Sequence, residues 1–144
     1  MRLHLILPRV EPEEIKAPFE CPYEDCDGTR FQFWQAVEKP LRDTKHAQVV
    51  VHRYQCLRCF RTHRVYPKGV SRDHISQRVK GLGILLYLLG LSYGAVSLAL
   101  EALGVYMCKS RVYDAVQMAA ERVPGMKRDQ VFEHVRTPAL GGDM

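Results

Sequence analysis

Four of the five cysteines fall into two tight clusters, CPYEDC (Cys21, Cys26) and CLRC (Cys56, Cys59), and nothing else in the sequence constrains the fold as strongly. The spacing is C-x4-C, then 29 residues, then C-x2-C. Two short turns that each present a pair of thiolates supply the four tetrahedral ligands that zinc prefers. Pro22 fixes the backbone just inside the first cluster, and Asp27-Gly28 allows a tight exit from it. The competing reading is a set of unrelated buried or redox cysteines, which paired clusters at this spacing disfavour. The first residues, MRLHLILPRVEPEE, carry too short an apolar run for a secretory signal. A cytoplasmic location is therefore expected, where thiols stay reduced and act as ligands rather than crosslinks.

The residues between the clusters alternate as strands do. Phe31, Phe33, Gln35 and Val37 recur with period two, and Val49 to Tyr54 lead into the second cluster as another strand. The sequence thus predicts a zinc ribbon over residues 19–68, preceded by an N-terminal extension over 1–18. So small a sheet buries little apolar area, and a structural metal ion would supply about 10 kcal/mol of its folding free energy. His52 and His63 stand close enough in sequence to replace a cysteine ligand, although four thiols already suffice.

Charge is segregated along the chain. Residues 1–27 carry three Lys or Arg against seven Asp or Glu, and residues 28–80 carry twelve against three. The overall formal charge is +5. A focused basic segment suits a polyanion, nucleic acid foremost; the alternative is a solvated basic surface. Arg53, Arg58, Arg61, Arg64 and Lys68 crowd the second cluster with Tyr54, Phe60 and Tyr66 among them, a mixture suited to phosphate contact and base stacking.

Residues 81–100, GLGILLYLLGLSYGAVSLAL, hold no charge and are long enough to suggest a membrane span. Two features oppose that reading. Gly90-Leu91-Ser92 interrupts the run, with Ser92 placed to cap a new helix, and the apolar stripe Ile75, Val79, Leu82, Leu86, Leu89 starts in charged sequence. The pattern predicts helices over about 72–89 and 93–103, the second with Val96, Ala99, Leu100 and Leu103 inward and Gly104 at its end. A third helix from Lys109 places Val112, Val116, Ala119 and Val123 inward and stops at Pro124-Gly125. Three such helices over 70–123 make a helix-turn-helix unit, followed by a C-terminal helix and tail over 124–144. The third helix would be the reader, with Lys109, Ser110, Arg111, Asp114 and Gln117 as candidate DNA contacts. Arg111 suits guanine, Gln117 suits adenine, and Lys109 and Ser110 suit the phosphate backbone.

Taken in order, CPYEDC, KPLRDT, HRYQCLRCFRTHRVYPKGV, SQRVKGLGILLYLLGLSYGAVSLALEALGV and KSRVYDAVQ resemble the N-terminal region of bacterial insertion-sequence transposases. The resemblance implies a zinc ribbon and helix-turn-helix that recognise the inverted-repeat ends of a mobile element in double-stranded DNA. In that family an RNase H-like domain with an Asp-Asp-Glu metal site follows. Cys108 stands where the family's turn typically offers a serine, and His63 where it packs an apolar residue. Asp143 maps onto the first catalytic carboxylate, but one carboxylate cannot hold the paired cations of phosphoryl chemistry.

The expectation is an α+β protein, a β zinc ribbon followed by a three-helix helix-turn-helix domain. It would bind DNA sequence-specifically in the cytoplasm, associated with the nucleoid and compatible with a homodimer, and would be no enzyme. The alternative is a zinc-ribbon module that binds other proteins through its apolar helices.

Overall fold

Period-two alternation in the first half and capped apolar runs in the second resolve into an α+β arrangement. The computed structural model describes residues 6–122. Three strands, β1 (Phe31–Pro40), β2 (Gln48–Cys56) and β3 (Thr62–Val65), form an antiparallel sheet in the order β1-β2-β3. Three helices follow: α1 (Gln77–Leu88), α2 (Tyr93–Ala102) and α3 (Lys109–Arg122). Strand β3 was not legible as a separate element.

A β-bulge between Phe33 and Gln35 divides β1 into two phases. Phe31 and Phe33 lie opposite Cys56 and Tyr54, whereas Gln35 and Val37 lie opposite Arg53 and Val51, on the other face. The single alternating stripe expected from Phe31 to Val37 is therefore split, because Trp34 is the inserted residue and resets the pleat. Val49 and Val51 pack with Val10, Leu41 and Val70 into a small core at the end of the sheet nearest the helices. The N-terminal segment joins the sheet through Val10 and through a bridge between Glu11 and Lys68.

The uncharged run makes two helices because each ends on a glycine in the left-handed region. At the end of α1, Gly90 (φ 103°) donates to the Tyr87 carbonyl and Leu91 to the Leu86 carbonyl. At the end of α2, Gly104 (φ 80°) donates to the Glu101 carbonyl and Val105 to the Leu100 carbonyl. Both are Schellman motifs, in which a residue without Cβ closes the last turn. Ser92 caps α2 by accepting from the Ala95 N–H at 3.2 Å. Among the described residues, no helix is long and apolar enough to cross a membrane.

The helical core comprises Ile75, Val79, Val96, Leu100, Val105, Met107, Val112 and Ala115. It departs from the expected stripes at helix ends: Leu89 and Leu103 are exposed, because both sit on the C-terminal turns that the glycines swing away. On α3 the buried pair is Val112 and Ala115, with Val116 and Ala119 only half-buried. Val123, Pro124 and Gly125 lie outside the described residues.

Helix α1 begins at Gln77 rather than near residue 72, because Ser76 caps it. The Ser76 hydroxyl accepts from the Val79 N–H (3.2 Å) and donates to Asp43 (2.6 Å), whose carboxylate also accepts from the Lys45 and His46 N–H groups. Burial pushes the Asp43 carboxyl up, but these hydrogen bonds outweigh it and hold the group below the usual range. Arg42 completes the joint: its N–H donates to the His74 carbonyl (2.7 Å), and its carbonyl accepts from the Ser76 N–H (3.0 Å). The β1–β2 turn and the start of α1 are thus tied through one fully buried serine. Replacing Ser76 by Ala is expected to cost about 1–2 kcal/mol of stability, since it removes a cap and strips Asp43 of a donor. Urea unfolding checks this: a lowered midpoint at unchanged slope is expected, and an unmoved midpoint contradicts the joint.

Candidate metal centre

Each cysteine pair sits on a turn closed by its own backbone. In the first, the Cys26 N–H donates to the Tyr23 carbonyl (3.0 Å) and the Cys21 N–H to the Gly28 carbonyl (2.9 Å). In the second, Phe60 donates to the Cys56 carbonyl (2.9 Å) and Cys56 to the Arg61 carbonyl (3.0 Å) as β2 turns into β3. The turns face each other, and all four Sγ atoms lie within 4.8 Å of one another. Cys21 and Cys59 approach to 3.8 Å, as do Cys26 and Cys56, each contact joining one turn to the other.

Those separations match the edge of a tetrahedron, about 3.8 Å for metal–sulfur bonds of about 2.3 Å. A disulfide would draw two sulfurs to about 2.05 Å. The group is therefore a four-sulfur cage able to hold a metal ion, as the cysteine spacing anticipated. His52 and His63 stand outside it. His63 packs edge-on against Phe31 with ring centroids 5.4 Å apart, and burial lowers its pKa, so it takes the role of an apolar residue.

The surroundings fit thiolate ligands. The backbone N–H groups of Gly28 and Arg58 donate to Cys26 and Cys56 Sγ, both at 3.4 Å. Burial pushes the Cys21 thiol up to about 12, whereas the Arg61 backbone N–H and guanidinium pull Cys59 down to about 6. An ion entering at neutral pH would have to displace the Cys21 proton, because the thiolate is the ligating form. Gly28 is dictated by space: a Cβ there would stand 2.5 Å from Cys56 Sγ and 3.3 Å from Cys26 Sγ. Phe60, directly after Cys59, holds φ at 58°, a region that costs a residue with a Cβ about 1–2 kcal/mol.

Basic residues near the second turn divide by their partners. Arg61 lies over the Tyr23 ring at 4.1 Å and pairs with Asp25 at 2.5 Å, while the Tyr23 hydroxyl donates to the Thr62 carbonyl. It clamps one turn to the other. Arg58 pairs with Asp27, and Lys68 with both Glu11 and Glu14. The acidic N-terminal segment and part of the basic middle therefore meet in space. Arg53 and Arg64 lie opposite each other across β2 and β3, without an acidic partner among the described residues.

On α3, Lys109, Ser110, Arg111, Asp114 and Gln117 are all exposed. Arg111 pairs with Asp73, which also binds Lys80 at 3.1 Å. Burial pushes the Asp73 carboxyl up, but these cations outweigh it and hold the group below its ordinary range. Cys108 precedes the helix, and its carbonyl accepts from the Arg111 and Val112 N–H groups while its thiol rests 3.3 Å from the Ser110 hydroxyl. Asp143 lies outside the described residues. Sequence reasoning missed Asp25 and Asp73 as partners of Arg61 and Arg111, and no local signal marks such long-range pairs. The steric role of Gly28, two residues past Cys26, was within reach.

No protein-family model, curated protein or solved structure matches the chain.

Gly28→Ala is expected to weaken metal binding about ten- to a hundredfold, because the new methyl displaces a ligand sulfur. Competition against a chromophoric chelator measures this, and an unchanged affinity contradicts the steric assignment.

Proposed function

We propose that the protein is a zinc-stabilised, sequence-specific DNA-binding protein of insertion-sequence transposase type. In this reading the cysteine-bearing sheet is a zinc ribbon and the three helices are a helix-turn-helix unit. The observation that carries it is the presentation of α3: its first turn and the following face are polar and exposed, while Val112 and Ala115 bury the opposite side in the helical core. A reading helix needs that division, since its outer face must enter the major groove while its inner face holds its orientation. The order of modules, sulfur cage first and trihelical unit second, supports the same family.

Lys109 and Ser110, at the helix N-terminus, contact phosphate in this proposal, and Gln117 reads a base edge. Arg111 exchanges Asp73 for DNA on binding. The partner is double-stranded DNA, the inverted-repeat ends of a mobile element. Zinc suits four thiolates, and its role here is structural. A second reading has support from Leu88, Leu89, Leu98 and Leu103, all exposed on α1, α2 or their ends: these helices would dock another protein.

Fluorescence anisotropy with the zinc-loaded chain separates the two. Against inverted-repeat duplexes, Lys109→Ala should weaken binding to all sequences alike, and Gln117→Ala should cost about 1–3 kcal/mol and relax specificity at one position. Duplex binding that neither variant alters overturns the assignment of α3 as the reader.

A further inference from the structure

The face of the sheet that carries the small apolar core changes character along its length. Nearest the helices it bears Val37, Val49 and Val51; nearer the sulfur cage it bears two rows of polar and cationic side chains. One row, across all three strands, is Gln35, Arg53 and Arg64. The next is Gln32, Gln55 and Thr62. Neither contains an acid.

Arg53 and Arg64 are direct cross-strand partners. Directly opposed side chains in a sheet have Cβ atoms about 5 Å apart, and like charges there destabilise the pair. The arginines at the cage rim have carboxylates, whereas these two have none among the described residues. The Arg53 Nε is buried and has no hydrogen-bond partner. A buried donor without an acceptor, on a residue whose cross-strand partner is a second arginine, leaves hydrogen-bonding capacity unmet on this face. Further along the same face Lys39 is also buried and its Nζ donates to the Arg72 carbonyl; burial lowers its pKa, Asp73 opposes that shift and Arg64 adds to it.

We infer that Arg53 and Arg64, flanked by Gln35 and Thr62, form a clamp for an oxyanion, the phosphodiester of a nucleic-acid backbone. Two arginines at directly paired positions suit one phosphate, and amide and hydroxyl donors at neighbouring positions extend the contact along the strand. The inference rests on the nucleic-acid reading for the source of the phosphate, but not for the site itself. It also separates this pair from Arg58 and Arg61, each of which has a carboxylate partner in the structure.

Two measurements on the zinc-loaded full chain decide it. In the first, tripolyphosphate is titrated into nitrogen-15-labelled protein while the Arg53 Nε–H resonance is followed. A saturable shift is expected, with half-saturation raised several-fold in Arg64→Gln; an unmoved resonance overturns the clamp whatever DNA does. In the second, the salt dependence of binding to a random-sequence duplex is compared among variants. Each of Arg53→Gln and Arg64→Gln should lower the slope of log affinity against log salt by about 1. An unchanged slope in Arg53→Gln and Arg64→Gln overturns the phosphodiester assignment. If the wild-type chain binds no duplex, the DNA-binding proposal falls, and the tripolyphosphate titration alone decides whether the oxyanion site stands. Retained zinc stoichiometry in each variant confirms that the sheet is intact.

Discussion

Four sulfurs held within 4.8 Å of one another are the constraint on which this fold depends. The sheet's buried aliphatic residues, Val10, Leu41, Val49, Val51 and Val70, gather at the end nearest the helices. At the other end the fully or nearly buried groups are Cys21 and Cys56. An apolar core therefore secures one end and the sulfur cage the other, and a sheet this small has no surplus hydrophobic area to replace the cage. Everything at that end serves the sulfurs: Gly28 leaves them room, backbone N–H groups donate to them, and Arg61 binds the two turns together.

The sheet is linked to the helices through a short chain of hydrogen bonds. Strand β1 ends at a turn whose Asp43 orients Ser76, and Ser76 starts α1. Arg42 adds two backbone hydrogen bonds and a side-chain contact to the Tyr106 carbonyl, in the turn before α3. The start of α1 and the turn before α3 are thus tied to the β1–β2 turn by polar contacts, which are more directional than apolar packing. Charge follows the same economy. The acidic first segment neutralises the cations that hold the cage, whereas Arg53 and Arg64 have no acidic partner among the described residues.

Much of this was legible in the sequence because the signals were local. The cysteine spacing marked the cage, Ser92 and the two glycines marked how the uncharged run divides, and Lys109 marked the start of α3. The failures were of two kinds. The bulge at Trp34 and the cap at Ser76 depend on partners across the sheet, so the face of Gln35 and the start of α1 could not be read from periodicity. The pairing of Arg58, Arg61, Lys68 and Arg111 with carboxylates far away in sequence was equally hidden, and it separates basic residues that composition treats alike.

The sulfur cage stands or falls on its binding a metal ion through all four thiolates. X-ray absorption at the zinc edge of the purified, zinc-loaded protein is the decisive measurement. Four sulfur neighbours at about 2.3 Å are expected. A shell containing nitrogen or oxygen at about 2.0–2.1 Å would show that one of the cysteines is not a ligand, and the cage described here would be wrong.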